Sequence, residues 1–319
     1  MTGDRSGTAE VSTSGRCAVK LGFGLPLSGP AATPEGIVAV TRRAEELRYD
    51  SLWTWDRLLV PVEPQTGYVG TPDGSYPEYF KRMMAPLDVL AFAAAHSSRI
   101  RLGTSVLVMG HYHPLTLARR AATIDVLSGG RLVLGLGQGW SKDEHDAMGV
   151  AMGDRAARAD EFLEVMKRAW TDDVVEFDGE FFQIPASVID LKPVQKPHPP
   201  IYMAAFSPGA MKRVATFADG WTPVMWPTDQ LSPAMDGIKT MAQEAGRNPD
   251  DLKLVVRGNV RLTPEPLEER GSFVGSWDQI LSDIKETELA GADELFIEPQ
   301  GDSPEEFISL MEQVRAAVG

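Results

Sequence analysis

IYMAAFSPGAMKRVATFADGWTP, residues 201–223, contains one complete turn of the pattern that organises this chain. The apolar run Pro200–Ala204 reads as a strand buried on both faces. Ser207-Pro208 then places a capping hydroxyl before a proline whose missing N–H costs nothing in a first helical turn. Met211, Val214, Ala215 and Ala218 follow at helical spacing on one face, and Gly220–Pro223 opens the next strand. Strand, capped helix and strand with no tight turn between them make a crossover unit, which joins parallel strands.

The same unit recurs in both directions. Strands are expected at Ala18–Gly24, Ser51–Trp55, Ile100–Val108, Arg131–Leu136, Pro200–Ala204, Gly220–Pro223, Leu252–Val260 and Glu294–Ile297. Ile37, Val40, Ala44 and Leu47 form one helical stripe, and Phe307, Leu310, Met311 and Val314 form the last. Thr33-Pro34, Ser232-Pro233, Asn248-Pro249 and Ser303-Pro304 repeat the cap-then-proline start. Ser303 with Glu306, and Ser276 with Gln279, are spaced as capping boxes. Eight strand–helix units without an antiparallel run define an α/β fold, a (β/α)8 TIM barrel, over a flatter doubly wound sheet. Residues 18–319 read as one barrel domain and residues 1–17, rich in Gly, Ser and Thr, as a mobile tail. Two stretches exceed ordinary connections. Leu59–Lys81 follows strand two as a lid or binding loop. Thr171–Pro199 follows strand four and holds VVEFDGEFFQI, with a hairpin turn at Asp178-Gly179.

The 319 residues carry a formal charge of -14, which disfavours nucleic acid and anionic membranes as partners. The single cysteine, Cys17, leaves no disulfide framework and no thiolate metal cage. No apolar run is long enough for a membrane span, and the N-terminus lacks the apolar segment of a signal peptide, so the cytoplasm is the expected address.

Barrel enzymes work at the carboxyl ends of their strands, and four motifs fall there. SLWTWDRLL ends strand two with Asp56 and Arg57. They form either a loop salt bridge or a ligand contact, with Asp56 accepting hydrogen bonds from a ring and Arg57 supplying charge. LGTSVLVMGHYHP runs through strand three. His111 and His113, two apart, would face one side of an extended segment, but too few histidines remain elsewhere for the usual metal set of barrel hydrolases. No metal is therefore expected. SGGRLVLGLGQGW ends strand four with alternating Gly135, Gly137 and Gly139. Trp140 breaks the dinucleotide fingerprint, so these glycines read either as tight packing or as a close approach for a ligand. After strand five, Ser207-Pro208-Gly209 opens a helix whose N–H groups could seat an anion.

Together, WTWDRLL, IRLGTSVLV followed by His-Pro, DVLSGGRLVLGLGQGW and SPGAMKRVATFADGWTP resemble the bacterial-luciferase-like superfamily of flavin and deazaflavin oxidoreductases, from about Lys20 onward. The WDR segment and TSVLV strand are most similar to the branch that uses coenzyme F-420, an 8-hydroxy-5-deazaflavin. That resemblance implies that Asp56 and Arg57 hold the deazaflavin and that Ser105–Val106 is a non-prolyl cis bond bulging against its ring. It implies further that Gly137, Gln138, Gly139 and Trp140 line its path, that Ala205, Phe206, Ser207 and Gly209 lead to its phosphate, and that the protein is a homodimer. Two positions depart from the deazaflavin sugar-phosphate dehydrogenases. Arg57 stands where they have a catalytic His, and Trp140 where they have an acid, so their reaction is not implied. Trp140, Trp55 and Trp226 suggest a flat, apolar substrate.

The expected reaction is hydride transfer between the deazaflavin C5 and a small organic substrate. The protein binds, orients and excludes water, and His111, His113 or Lys142 handles the proton. The rival readings are an FMN-dependent monooxygenase on the same fold, a metal-dependent barrel hydrolase and a cofactor-binding protein without turnover.

Overall fold

The structure, a computed structural model, describes residues 19–318. The tail read at residues 1–17, with Cys17, and the first residue of the expected first strand, Ala18, lie outside the described residues. Eight parallel strands close into a barrel: β1 (Lys20–Gly24), β2 (Ser51–Thr54), β3 (Arg101–Thr104), β4 (Leu132–Gly137), β5 (Ile201–Met203), β6 (Gly220–Trp221), β7 (Lys253–Asn259) and β8 (Glu294–Glu298). Closure is given by β8 pairing with β1, from Lys20 opposite Glu294 to Phe23 opposite Ile297, while β1 also pairs with β2. This register rules out the open sheet. All eight expected strands are present.

The helices are α1 (Pro34–Glu46), α2 (Pro86–Ala95), α3 (Pro114–Ser128), α4 (Lys142–Ala147), α5 (Arg155–Thr171), α6 (Pro208–Phe217), α7 (Leu231–Glu244), α8 (Trp277–Leu289) and α9 (Pro304–Val318). Thr33 Oγ1 accepts from Gly36 N at 3.0 Å, and Ser207 Oγ accepts from Ala210 N at 3.3 Å, so these caps form as expected. Two expected starts differ. Leu231 already lies in α7, which places Ser232 and Pro233 inside its first turn, and Asn248 caps only a 3-10 turn at Pro249–Asp251. Ser303 Oγ accepts from Glu306 N at 3.3 Å, but the Glu306 carboxylate returns to Asp302 N, one residue earlier than a capping box requires.

The lumen is filled, not hollow. Side chains alternate along β8 so that Glu294, Phe296 and Glu298 occupy successive levels from floor to mouth. Phe296 stacks on Trp53 at 4.6 Å, with Val133, Tyr202 and Val255 packed around them. Beneath them Glu294 is sealed by Ser51, Trp53 and Arg101, and burial raises its carboxyl above the ordinary range. This plug leaves the carboxyl-end mouth as the open end.

Strand three does not run unbroken as expected. It stops at Thr104, resumes at Leu107–Val108, and the Ser105–Val106 bond between is cis. The hairpin after β4 forms from antiparallel Val174–Asp178 and Gln183–Val188. Its turn is longer than a two-residue Asp-Gly turn, because Asp178 pairs with Gln183 and the Glu161 carboxylate accepts from the N–H groups of Glu180, Phe181 and Phe182. Among the described residues no helix is long and apolar enough to cross a membrane.

Candidate active site

The mouth opens into a cleft of about 1430 Å³. Asp56, Arg57, Ser105, Val106, Gly137, Gln138, Gly139, Trp140, Phe206 and Ser207 all line it, so the structure brings together most of the residues singled out in the sequence. Ala205 does not line it. Its side chain is buried in the core and its carbonyl accepts from Trp221 Nε1, which leaves Ala204 as the lining residue. Gly209, in the first turn of α6, is not among the lining residues either, although the position a Cβ would take there is open.

Asp56 and Arg57 both reach inward at the end of β2, but each is already engaged. Asp56 Oδ2 accepts from Val108 N at 3.1 Å and meets His111 Nδ1 at 3.1 Å, and so ties the end of strand two to the turn after strand three. Arg57 Nη1 donates to Glu144 Oε2 at 3.0 Å, with both side chains almost sealed from solvent. Its guanidinium lies 4.5 Å from the Trp140 ring centre and 5.2 Å from that of Phe80. Of the two expectations for Arg57 the salt bridge is present, with Glu144 balancing its charge, while the residue also lines the cleft.

The three proton-handling candidates are corrected as well, since none lines the cleft. A 3-10 turn at Met109–His111 separates the two histidines that an extended segment would have aligned. His111 is buried between Asp56 and Glu144, its Nε2 3.7 Å from Glu144 Oε2. His113 caps α3 by accepting from Leu115 N at 3.3 Å, and burial, then Arg158, holds its ring below the ordinary histidine range. Lys142 begins α4 on the exposed side and pairs with Asp146 at 2.5 Å.

The glycines after β4 have distinct reasons. A Cβ on Gly137 would stand 2.6 Å from Val106 Cγ2, so only glycine lets the bulged Val106 side chain settle against this strand. Gly139 takes φ +76°, and a Cβ there would strike both the buried His145 ring and Val108 at 2.7 Å. The cleft lining thus runs from the Ser105–Val106 bulge past Gly137 and Ala204 to the start of α6.

Several lining residues were not foreseen. Leu59–Lys81 does fold against the cleft, giving it Tyr68, Tyr79 and Phe80. It is pinned by α4: Asp143 accepts from Gln65 N at 3.1 Å and Thr66 N at 3.2 Å, and Glu144 accepts from Leu58 N at 2.6 Å. Arg155, at the start of α5, lines the cleft and forms no ion pair among the described residues. Arg257 and Glu298 reach the mouth from β7 and β8. Arg257 Nη1 donates to Ser105 O at 2.6 Å, gripping the carbonyl of the cis bond. The available signal for Glu298 was an acid at the carboxyl end of a barrel strand.

A closed parallel barrel with its cleft at the carboxyl ends of the strands is the scaffold of a barrel enzyme. The chain belongs to the luciferase-like monooxygenase family, whose model matches residues 17–270, and it is thus an enzyme of the oxidoreductase class. An uncharacterized protein of Mycobacterium tuberculosis is 35% identical over 232 residues, 72% of this chain and 80% of the relative. Among solved structures, a monooxygenase from Streptomyces bottropensis matches at TM-score 0.76 and 23% identity, over 94% of this chain and 98% of its own. An F-420-dependent secondary alcohol dehydrogenase, in complex with an F-420-acetone adduct, matches at TM-score 0.76 and 16% identity, over 95% of this chain and 100% of its own.

Proposed function

We propose that this enzyme is a coenzyme F-420-dependent oxidoreductase acting on a small organic substrate in the mouth of the barrel. The observation that supports this reading best is the stretch of cleft lined by the Val106 bulge, Gly137 and Ala204, which leads to the N-terminus of α6 at Ser207. The residues present suit a planar ring with an anionic tail. Val106, Gly137 and Ala204 offer an uncluttered apolar surface. The first turn of α6, where Ser207 Oγ already takes the Ala210 N–H, offers the Gly209 N–H, and Arg155 offers positive charge for a phosphate. The WDR and TSVLV segments favour the deazaflavin over a flavin, and the F-420-dependent alcohol dehydrogenase shares the fold.

When bound, the deazaflavin supplies or accepts a hydride at its C5. The chain's own part is to orient and to keep water out. Arg257 fixes the bulge through Ser105 O. Asp56 ties the turn behind it to strand two. Tyr68, Phe80, Trp140, Phe206 and Trp226 wall the cleft with rings that suit a flat apolar substrate. A homodimer belongs to the same reading.

FMN in the same cleft is the second reading, supported by the likeness to the Streptomyces monooxygenase. Titrating the protein with coenzyme F-420 and, separately, with FMN, each followed by fluorescence, tests the two. Saturable F-420 binding at least tenfold tighter than FMN is expected. Tighter FMN binding overturns the deazaflavin reading.

A further inference from the structure

Glu298 lies beyond residues 17–270, the span that the family model covers, and the reading above gives it no role. We propose that Glu298 is the catalytic acid–base group, exchanging a proton with the oxygen of a carbonyl or alcohol substrate on the floor of the cleft. This rests on the cofactor reading just given.

The side chain is held as such a group must be. It ends β8 at the uppermost level of the lumen and lines the cleft although only 8% of the residue is exposed. Trp55 Nε1 donates to Oε1 at 2.9 Å and fixes the carboxyl plane. The other oxygen, Oε2, is buried with no hydrogen-bond partner. Gly24 leaves room for it, since a Cβ there would stand 2.6 Å away. An orphaned buried carboxyl oxygen is costly unless something regularly meets it, and the residue that carries it is part of the cleft lining.

Two further groups complete the setting. Arg257 Nη2 lies 3.7 Å from Oε2, and the same guanidinium holds Ser105 O. One arginine thus spans the acid and the bulge that backs the proposed ring site, so an atom reacting above that bulge would lie within the acid's neighbourhood. Tyr79 faces Glu298 from the insertion, its hydroxyl driven upward chiefly by burial and therefore neutral. Burial also pushes the Glu298 carboxyl up to about 7, against the opposing pull of Arg257 and Trp55. Acid and base forms are then both available near neutrality.

The step balances. A carbonyl carbon that gains a hydride, for which reduced deazaflavin is the named two-electron donor, needs a proton on its oxygen. The Glu298 O–H bond breaks, the alcohol O–H bond forms, and the carboxylate left behind faces Trp55 Nε1 and Arg257. In the oxidising direction the carboxylate takes the proton back.

The first test uses the cofactor-free protein. Infrared difference spectra of wild type against Glu298→Gln, from pH 5 to 9, should show a neutral-acid C=O band that vanishes near neutrality and is missing in the variant. Should the glutamine variant fail to fold, Glu298→Asp shifts the band instead. A carboxylate signature at every pH overturns the proposal. The second test is single-turnover oxidation of reduced coenzyme F-420 by cyclohexanone and a panel of simple ketones. Glu298→Gln should bind F-420 within about twofold of wild type yet react at least ~100-fold more slowly. An equal rate overturns the role of Glu298, and turnover of none of the ketones by wild type overturns the carbonyl assignment. Failure of wild type to bind F-420 would strike the cofactor reading alone, because the infrared measurement needs no cofactor.

Discussion

Replacing Glu144 by alanine probes how the mouth is assembled. One carboxylate there serves Arg57 Nη1 at 3.0 Å through Oε2, and Leu58 N at 2.6 Å and Leu59 N at 3.4 Å through Oε1. The two side chains of the pair are 7% and 3% exposed. Alanine would leave the Arg57 charge facing mainly the rings of Trp140 and Phe80, and two backbone N–H groups without their acceptor. Removing one member of a buried pair costs about 3–5 kcal/mol, because the remaining charge stays desolvated. At an unfolding entropy of roughly 2.1 cal/mol/K per residue, a chain this long shifts its Tm by about 1.5 °C per kcal/mol. Calorimetry should therefore show Tm lowered by about 6 °C. Glu144→Gln keeps an acceptor but not the charge, and should fall between. The double variant Arg57→Leu, Glu144→Leu should recover part of the loss, since no buried charge is orphaned. Amides of residues 59–81 should exchange faster in Glu144→Ala while those of β7 and β8 do not. A Tm loss below about 2 °C, with exchange unchanged, would refute the claim that this carboxylate staples the insertion.

Three other outcomes follow from the same geometry. The Glu298 carboxyl, at 4.5 ordinarily and about 7 when folded, makes the native state the better proton binder between those values, so stability falls as pH rises through that window. Denaturant unfolding of wild type minus Glu298→Gln should therefore lose about 3 kcal/mol from pH 4.5 to just above 7; a flat difference contradicts this. Gly137→Ala should cost only about 1 kcal/mol of stability, because the partly exposed Val106 can yield, yet pushing Val106 into the cleft should weaken cofactor binding at least roughly tenfold. Unchanged affinity would remove Val106 from the ring site. Asp56→Ala should likewise weaken binding about tenfold with the fold retained by circular dichroism, because Val108 N loses its acceptor behind the bulge; full affinity would reduce Asp56 to a structural tie.

The barrel was legible because every strand–helix unit announces itself locally. Thr33-Pro34, Ser207-Pro208 and the apolar runs need no knowledge of distant partners. The site was legible only where a motif is contiguous. Gly137 to Gly139 could be read as a lining because neighbouring residues share one strand end, whereas Ser105–Val106 entered only through the family resemblance. Glu298 was missed because strands buried on both faces show no alternation, so nothing marks Glu294, Phe296 and Glu298 as facing the lumen. Reading strand eight as ending at Ile297 hid it further. Glu144 was missed for another reason. In SKDEHDA it looks like any solvated helix acid, and its burial comes from Arg57, 87 residues earlier. Lys142 was over-read by the converse error: it is near the mouth in sequence, but the first turn of α4 points it at Asp146.

The central claim, a planar deazaflavin lying across the β3–β5 sector of the mouth, is tested most directly by a crystal structure of the protein soaked with coenzyme F-420. The account predicts ring density against Val106 and over Gly137, with the phosphate at the first turn of α6. Density elsewhere in the barrel, or a ring turned away from Val106 with its phosphate remote from α6, would contradict it.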